Sequence, residues 1–334
     1  MEEDYSDLGL IDTHKRIHDY LRLSVTDQCN FRCLYCMPNE QMKFLPNDHL
    51  MSLEEILKLA SIFIEHGVRK IRLTGGEPLV RKDIKEIILG LAKHPIELTL
   101  TTNGVFIGEN LDAIMEAGIK SINISIDSLN PEKFKSITQR DAFAKVWENI
   151  QRMLALKMHV KLNVVLIKGY NDDEINQFVA LTKDQPIHVR FIEFMPFSGN
   201  KWEDNKVVPL SFVLSEVDKQ YSFLKLADKK HDTARKYKVY GHEGTFAIIS
   251  TMTQPFCHDC NRIRVTADGK IKNCLFSPEE TDLVGTMRKG GDIRPIIFKS
   301  IMDKHERQGG QLEENYHQNN PDAIQNRSMI NIGG

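Results

Sequence analysis

Cys29-Asn30-Phe31-Arg32-Cys33-Leu34-Tyr35-Cys36 places three of the chain's six cysteines within eight residues. Three thiols spaced C-x3-C-x2-C cannot satisfy one another with disulfides, because one is always left over. A short irregular loop can aim three thiolates at one point, which suits a cubane iron–sulfur cluster. Such a cluster takes four ligands, so three thiolates leave one iron open to coordinate a small molecule. The alternative is a zinc knuckle with His49 or another side chain as fourth ligand. Knuckles pair C-x2-C with a second pair, and no C-x2-C or H-x3-H follows nearby. The spacing and the aromatic Tyr35 beside the last cysteine favour the cluster.

Outward from this loop, residues 18–26 alternate as a first strand and Ser52-Leu53-Glu54-Glu55 opens a helix with a capping box, running to about Glu65. Strands are expected at 70–74, 96–101, 120–126, 159–166 and 188–194, with helices at 81–93, 111–117, 143–156 and 172–183 between them. Six strands alternating with helices imply a parallel sheet, either doubly wound or a partial barrel. No G-x-G-x-x-G follows the first strand, which weakens the dinucleotide-binding option. After Pro196 the rhythm changes: a helix at 209–219, short strands at 236–240, 245–250, 262–266 and 270–274, and a helix at 295–304. A boundary near Ser198 divides the chain into 1–197 and 198–334, and the polar run 308–325 reads as mobile.

The chain has 334 residues, 41% hydrophobic and 27% charged, ordinary for a globular α/β protein. A formal net charge of −2 gives no global attraction to nucleic acid or membrane, so any basic site must be local. Met1-Glu2-Glu3-Asp4 lacks a basic or apolar leader pattern, and no apolar run reaches bilayer length. Clustered cysteines then read as metal ligands in a reducing compartment, and a cytoplasmic location is expected.

Other motifs sit where strands end. Thr74-Gly75-Gly76-Glu77-Pro78 follows the second, with two glycines that let backbone approach a ligand. Thr101 to Gly104 end the third, Ser125 and Asp127 the fourth, and Met195 follows the sixth. Cys257-His258-Asp259-Cys260 and Cys274 form a second set, C-x2-C-x13-C, continuing into Asn261-Arg262-Ile263-Arg264. By itself this set is also compatible with an incomplete zinc ribbon.

Cys29 to Cys36 followed by Gly75-Gly76-Glu77 resembles the radical S-adenosylmethionine (SAM) superfamily. The second cysteine set, Arg190-Phe191-Ile192-Glu193-Phe194-Met195, Arg327-Ser328-Met329 and the terminal Gly333-Gly334 narrow the resemblance to its GTP 3′,8-cyclase family. The resemblance implies a (β/α)6 partial TIM barrel with a C-terminal α+β extension carrying a second Fe–S cluster. It implies two [4Fe-4S] clusters, on Cys29, Cys33 and Cys36 and on Cys257, Cys260 and Cys274. SAM would contact Tyr35, Gly76, Ser125 and Met195 and be cleaved to 5′-deoxyadenosine and methionine. GTP would become 3′,8-cyclo-7,8-dihydro-GTP, the first step of molybdopterin biosynthesis.

A nucleoside triphosphate needs a local cationic cluster in a net-acidic chain. Arg22, Lys70, Arg72, Lys161, Arg190, Arg262 and Arg264 end or flank the strands, and the resemblance makes them, with Thr101, the substrate pocket. Arg262 and Arg264 would also act in catalysis beside the second cluster. No Walker A sequence is present. The family further implies a flavodoxin-like electron donor, a downstream cyclic pyranopterin monophosphate synthase and a homodimer. His14-Lys15-Arg16 departs from the family pattern. The competing readings are a peptide-modifying radical SAM maturase and a zinc-stabilised binding module.

Overall fold

The computed structural model describes residues 9–37, 44–320 and 323–333. Met1 to Asp4 and Gly334 lie outside the described residues. Six strands, β1 (Tyr20–Ser24), β2 (Lys70–Thr74), β3 (Glu97–Thr102), β4 (Ser121–Ser125), β5 (His159–Leu166) and β6 (His188–Glu193), alternate with helices α1 (Leu53–Glu65), α2 (Ile84–Ala92), α3 (Leu111–Glu116), α4 (Pro131–Thr138), α5 (Phe143–Ala155) and α6 (Ile175–Ala180). They lie in sequential order and pair in parallel. A doubly wound sheet would reverse its order partway. This order is that of a single winding, the expected partial barrel.

The remaining strands are β7 (Phe223–Lys225), β8 (Arg235–Val239), β9 (Thr245–Ile249), β10 (Arg262–Val265), β11 (Lys270–Lys272) and β12 (Thr281–Asp282), with helices α7 (Leu210–Asp218), α8 (Val284–Arg288), α9 (Arg294–Met302) and α10 (Met329–Ile332). They join the same sheet, giving twelve strands in the order β12-β11-β10-β1-β2-β3-β4-β5-β6-β9-β8-β7. β10 is parallel to β1 and β9 parallel to β6, so strands from both sides of Ser198 share one sheet.

Strand alternation divides the barrel into two environments, because successive side chains point to opposite faces. Leu21, Leu23, Ile71, Leu73, Leu100, Ile122, Ile124, Leu162, Val189 and Phe191 are wholly buried against the helix layer in one apolar core. The intervening positions (Arg22, Arg72, Thr101, Asn123, Lys161, Asn163, Arg190) turn inward and line the lumen. α1 starts as read: Ser52 Oγ accepts from Glu55 N and Glu55 Oε2 accepts from Ser52 N, a closed capping box. α2 starts three residues later than expected, because Arg81 is extended and its guanidinium holds Asp83 and the Val25 carbonyl. The described part of the polar run 308–325 is held in place: Gln308 is buried and its amide donates to Thr251 O at 2.8 Å.

Candidate active site

The first cysteine loop leaves the C-terminal end of β1. Its entry is clamped to the loop after β2, with Gly76 N donating to Thr26 O and Glu77 N to Gln28 O, both at 2.8 Å. A Cβ on Gly75 would stand 2.5 Å from Thr26 O, and one on Gly76 2.5 Å from Gln28 O and 2.6 Å from Asp27 O. The close approach that demands glycine here is therefore between the two loops, whereas the sequence pointed to a ligand. Glu77 is fully buried and accepts from Leu79 N, Thr102 Oγ1 and Asn103 N at 3.0, 2.7 and 2.6 Å. Burial nevertheless raises its carboxyl to about 7.

The loop is pinned on its other side by α4, whose terminal carbonyls at Thr138 and Ile137 accept from Arg32 N and Leu34 N at 2.9 and 3.1 Å. Tyr35 Oη donates to Asp127 Oδ2 at 2.6 Å, just past β4, and Phe31 N donates to Cys29 Sγ at 3.4 Å. Cys29, Cys33 and Cys36 are free thiols. Burial pushes Cys29 up to about 12 and Cys33 and Cys36 well above the ordinary thiol range. Buried thiols of this kind become thiolates by binding a metal. Among the described residues no three His, Cys, Asp or Glu side chains converge on a position for one metal ion. A cubane does not require that, since each thiolate binds a different iron. Three unpaired thiols, one already accepting a backbone N–H, fit such a cluster.

The second triad lies at the opposite end of the barrel. β10 runs parallel to β1, so Cys257 and Cys260, which precede it, stand at the N-terminal rim. β11 is antiparallel to β10 and returns Cys274 to the same rim. The two triads therefore stand at opposite ends of the same barrel. The second set is also three free thiols. Burial alone would raise Cys260, but Arg262 and Lys304 outweigh it and bring the thiol down to about 5.

Between the two ends is a cavity of about 320 Å³. Arg22, Lys70, Arg72, Thr101, Lys161, Arg190, Arg262 and Arg264 all line it, as do Cys257, Cys260, Cys274 and Met195. The cations stand along the inner faces of the strands; none follows a strand's C-terminal end. Register explains the convergence, since Arg22 is level with Arg72 on one side and Arg264 on the other. Cys29, Cys33, Cys36, Tyr35, Gly76 and Ser125 do not line this cavity.

The charge in the lumen is poorly balanced. Lys70 pairs with Glu97 at 2.7 Å, and Asp232 at the rim pairs with Lys236 at 2.6 Å. The arginines instead lean on neutral oxygens: Arg190 on Asn163, Arg72 on Thr101 Oγ1 at 3.3 Å and on Tyr20 Oη. Arg22 Nε is buried with no hydrogen-bond partner among the described residues. Burial and neighbouring cations lower Arg190 to about 9, Arg264 to about 10 and Lys161 to about 8. Burial would raise the Tyr20 phenol, yet Arg72, Arg22 and Lys70 together bring it down to about 7. Desolvated cations without counter-ions are costly, and a polyanion entering the lumen relieves them all.

The chain's last described residues end in this region. Gly333 O accepts from Arg264 Nη1 at 3.0 Å. A Cβ on Gly333 would lie 2.7 Å from Ser24 Cβ and 2.8 Å from Thr74 Oγ1. The tail thus reaches the ends of β1 and β2, one inward position beyond Arg22 and Arg72. Arg327 anchors it by a two-pronged pair with Asp268, both contacts at 2.9 Å.

Sequence reasoning missed Tyr20, Asn163, Arg16, Gln308 and Lys304. Arg16, whose motif departs from the family pattern, donates to Cys257 O at 2.9 Å and Glu306 O at 2.7 Å. α4 was missed as well, although Asn130-Pro131 is a cap followed by proline, and Asn130 Oδ1 does accept from Glu132 N and Lys133 N. Among the described residues no helix is long and apolar enough to cross a membrane.

Two family models match in tandem, "Radical SAM superfamily" over residues 23–182 and "Molybdenum Cofactor Synthesis C" over residues 187–309. The chain is 44% identical to the mitochondrial GTP 3′,8-cyclase of Arabidopsis thaliana, covering 97% of this chain and 83% of that one. It is 38% identical to the GTP 3′,8-cyclase of Listeria monocytogenes, covering 97% and 99%. It spans about half the length of the Caenorhabditis elegans and human relatives. The crystal structure of Streptococcus suis SuiB bound to S-adenosylmethionine superimposes with a TM-score of 0.58 at 14% identity, covering 87% of this chain and 70% of SuiB, a likeness of fold.

Proposed function

The chain belongs to the radical SAM superfamily and, within it, to the GTP 3′,8-cyclases, and on that premise we infer how its two ends and its lumen divide the work. It is a GTP 3′,8-cyclase of molybdenum cofactor biosynthesis, converting GTP to 3′,8-cyclo-7,8-dihydro-GTP. A [4Fe-4S] cluster held by Cys29, Cys33 and Cys36, with SAM, supplies when bound the carbon-centred radical that takes hydrogen from the ribose 3′ position.

The chain's own residues bind and align. Gly76 backbone, Tyr35, Ser125 and Met195 hold SAM at the C-terminal rim. Arg22, Lys70, Arg72, Lys161 and Arg190 take the triphosphate, with Thr101 beside the sugar. Cys257, Cys260 and Cys274 would hold a second [4Fe-4S] cluster able to bind the guanine, with Arg262 and Arg264 placed to hold the nucleotide beside it. Proximity is the main device, since ribose C3′ must lie near both the hydrogen acceptor and guanine C8. Residues 1–197 would then handle SAM and residues 198–334 the second cluster. An external electron donor, a downstream enzyme consuming the cyclised nucleotide, and a homodimer complete the reading.

One observation carries the substrate assignment: seven cations and three cysteines line a single cavity, and among the described residues no carboxylate pairs with its arginines. The test is anaerobic incubation of the reconstituted protein with SAM, dithionite and each nucleoside triphosphate, followed by mass analysis. Cyclised product and 5′-deoxyadenosine are expected with GTP alone. Equal turnover of ATP or CTP would remove the assignment.

A further inference from the structure

Behind the second cysteine loop lies a buried polar network that faces away from the substrate cavity. Asp12, Arg16, His18 and Lys304 are buried, at 4, 7, 1 and 3% exposure, and none lines the lumen. Asp12 Oδ2 holds Arg16 Nε at 2.6 Å and His18 Nε2 at 3.0 Å. His18 thus donates from Nε2 and offers Nδ1, which stands 3.4 Å from Lys304 Nζ. Lys304 Nζ also donates to Arg262 O at 2.8 Å and to Cys260 Sγ at 3.7 Å. Three N–H groups of an ammonium meet three acceptors, so the side chain has one orientation.

Such a network is expensive in a protein interior, because buried charges must be desolvated. It brings the N-terminal arm and the turn after α9 against the same loop, which Arg16 also holds through Cys257 O. None of its members touches the lumen. What its cation does touch is a sulfur of the second triad.

We propose that Lys304 is a positioning residue for the second cluster, its ammonium donating to the Cys260 thiolate and thereby raising the potential at which that cluster accepts an electron. This rests on the second-cluster reading above. A cation and a hydrogen bond at a ligating sulfur stabilise the more negative, reduced state, and such contacts are among the means by which proteins set cluster potentials. Asp12 and His18 serve by orienting the ammonium.

The test is a potentiometric titration followed by electron paramagnetic resonance, in full-length protein whose Cys29, Cys33 and Cys36 are replaced by Ala, so that only the second cluster is read. In that background Lys304→Gln keeps a donor without charge, Lys304→Met removes both, and Lys304→Arg retains both. The midpoint is expected to fall in Lys304→Gln and further in Lys304→Met, and to stay near the parent in Lys304→Arg. If Lys304→Met sheds its iron, the Gln and Arg pair decides the matter. Coincident midpoints for Gln, Arg and parent would overturn the role of Lys304 while leaving the cluster in place. A parent background holding no iron–sulfur cluster would overturn the second cluster itself, and the role of Lys304 with it.

Discussion

Arg264 gives one guanidinium N–H to the carbonyl oxygen of Gly333 at 3.0 Å, although 69 residues separate them in the chain. The contact ties the C-terminal tail to the layer of cations that Arg264 shares with Arg22 and Arg72. Gly333 occupies a positive-φ conformation, +86°, in a slot between Ser24 and Thr74. Only a residue without a side chain sits there unstrained.

Gly333→Ala should therefore unseat the tail and leave the Arg264 guanidinium misplaced. A lost hydrogen bond to a charged group is worth about 1.5–3 kcal/mol, or roughly a ten- to hundredfold loss in kcat/KM for GTP. Arg264→Ala should weaken GTP use comparably while both clusters still assemble, as iron content would report. Unaltered kinetics in Gly333→Ala would mean that the tail has no part in the site.

Cys274→Ala separates the two ends of the barrel. The first triad is built on β1, β2 and α4 at the C-terminal end of the barrel, whereas Cys274 stands at the N-terminal rim. The variant should keep reductive SAM cleavage, lose cyclised GTP, and bind roughly half the iron of a protein with two four-iron clusters. Turnover at the parent rate would remove the second cluster from the mechanism.

The inward and outward stripes of the strands were legible because alternation is a local property. Arg22, Arg72, Arg190, Arg262 and Arg264 stand among apolar neighbours at a period of two, and every one of them reaches the lumen. Which end of the barrel the second cysteine set occupies was not legible. That depends on β10 docking in parallel beside β1, a pairing between segments some 240 residues apart that no local pattern encodes. Lys304 and Arg16 were invisible for the same reason: as isolated cations in a sequence they read as solvated charge, and only the fold buries them beside Cys257 and Cys260.

Gly76→Ala should strike the first cysteine loop, and not the nucleotide. The new methyl would meet two carbonyl oxygens, Gln28 O and Asp27 O, at 2.5 and 2.6 Å. Neither can retreat without moving the residues that lead into Cys29. Overpacking of this kind costs about 1–3 kcal/mol. The expected result is lower thermal stability and loss of the first cluster's iron, with GTP affinity unchanged. A variant retaining full iron and stability would show that the two loops are not packed this closely.

Nucleotide affinity should fall as pH rises above neutrality. Lys161 is lowered to about 8 by burial and by Arg190, Arg72 and Lys70, so in the free protein it loses its charge in mildly alkaline solution. Tyr20, at about 7, gains negative charge over a lower range. A triphosphate favours the ammonium and disfavours the phenolate, so binding above these values takes up protons, and each group adds a slope approaching about one decade in affinity per pH unit. The terminal phosphate ionises near pH 6 and is complete above about pH 7.5, so it does not reverse the trend there. Equilibrium dialysis of GTP between about pH 7.5 and 9.5 checks the sign. Lys161→Arg should flatten the upper part of the curve, because a guanidinium in the same place holds its charge to higher pH than an ammonium, and Tyr20→Phe the lower part. An affinity that is level or rises over this range in the parent protein would mean that neither side chain faces the phosphates.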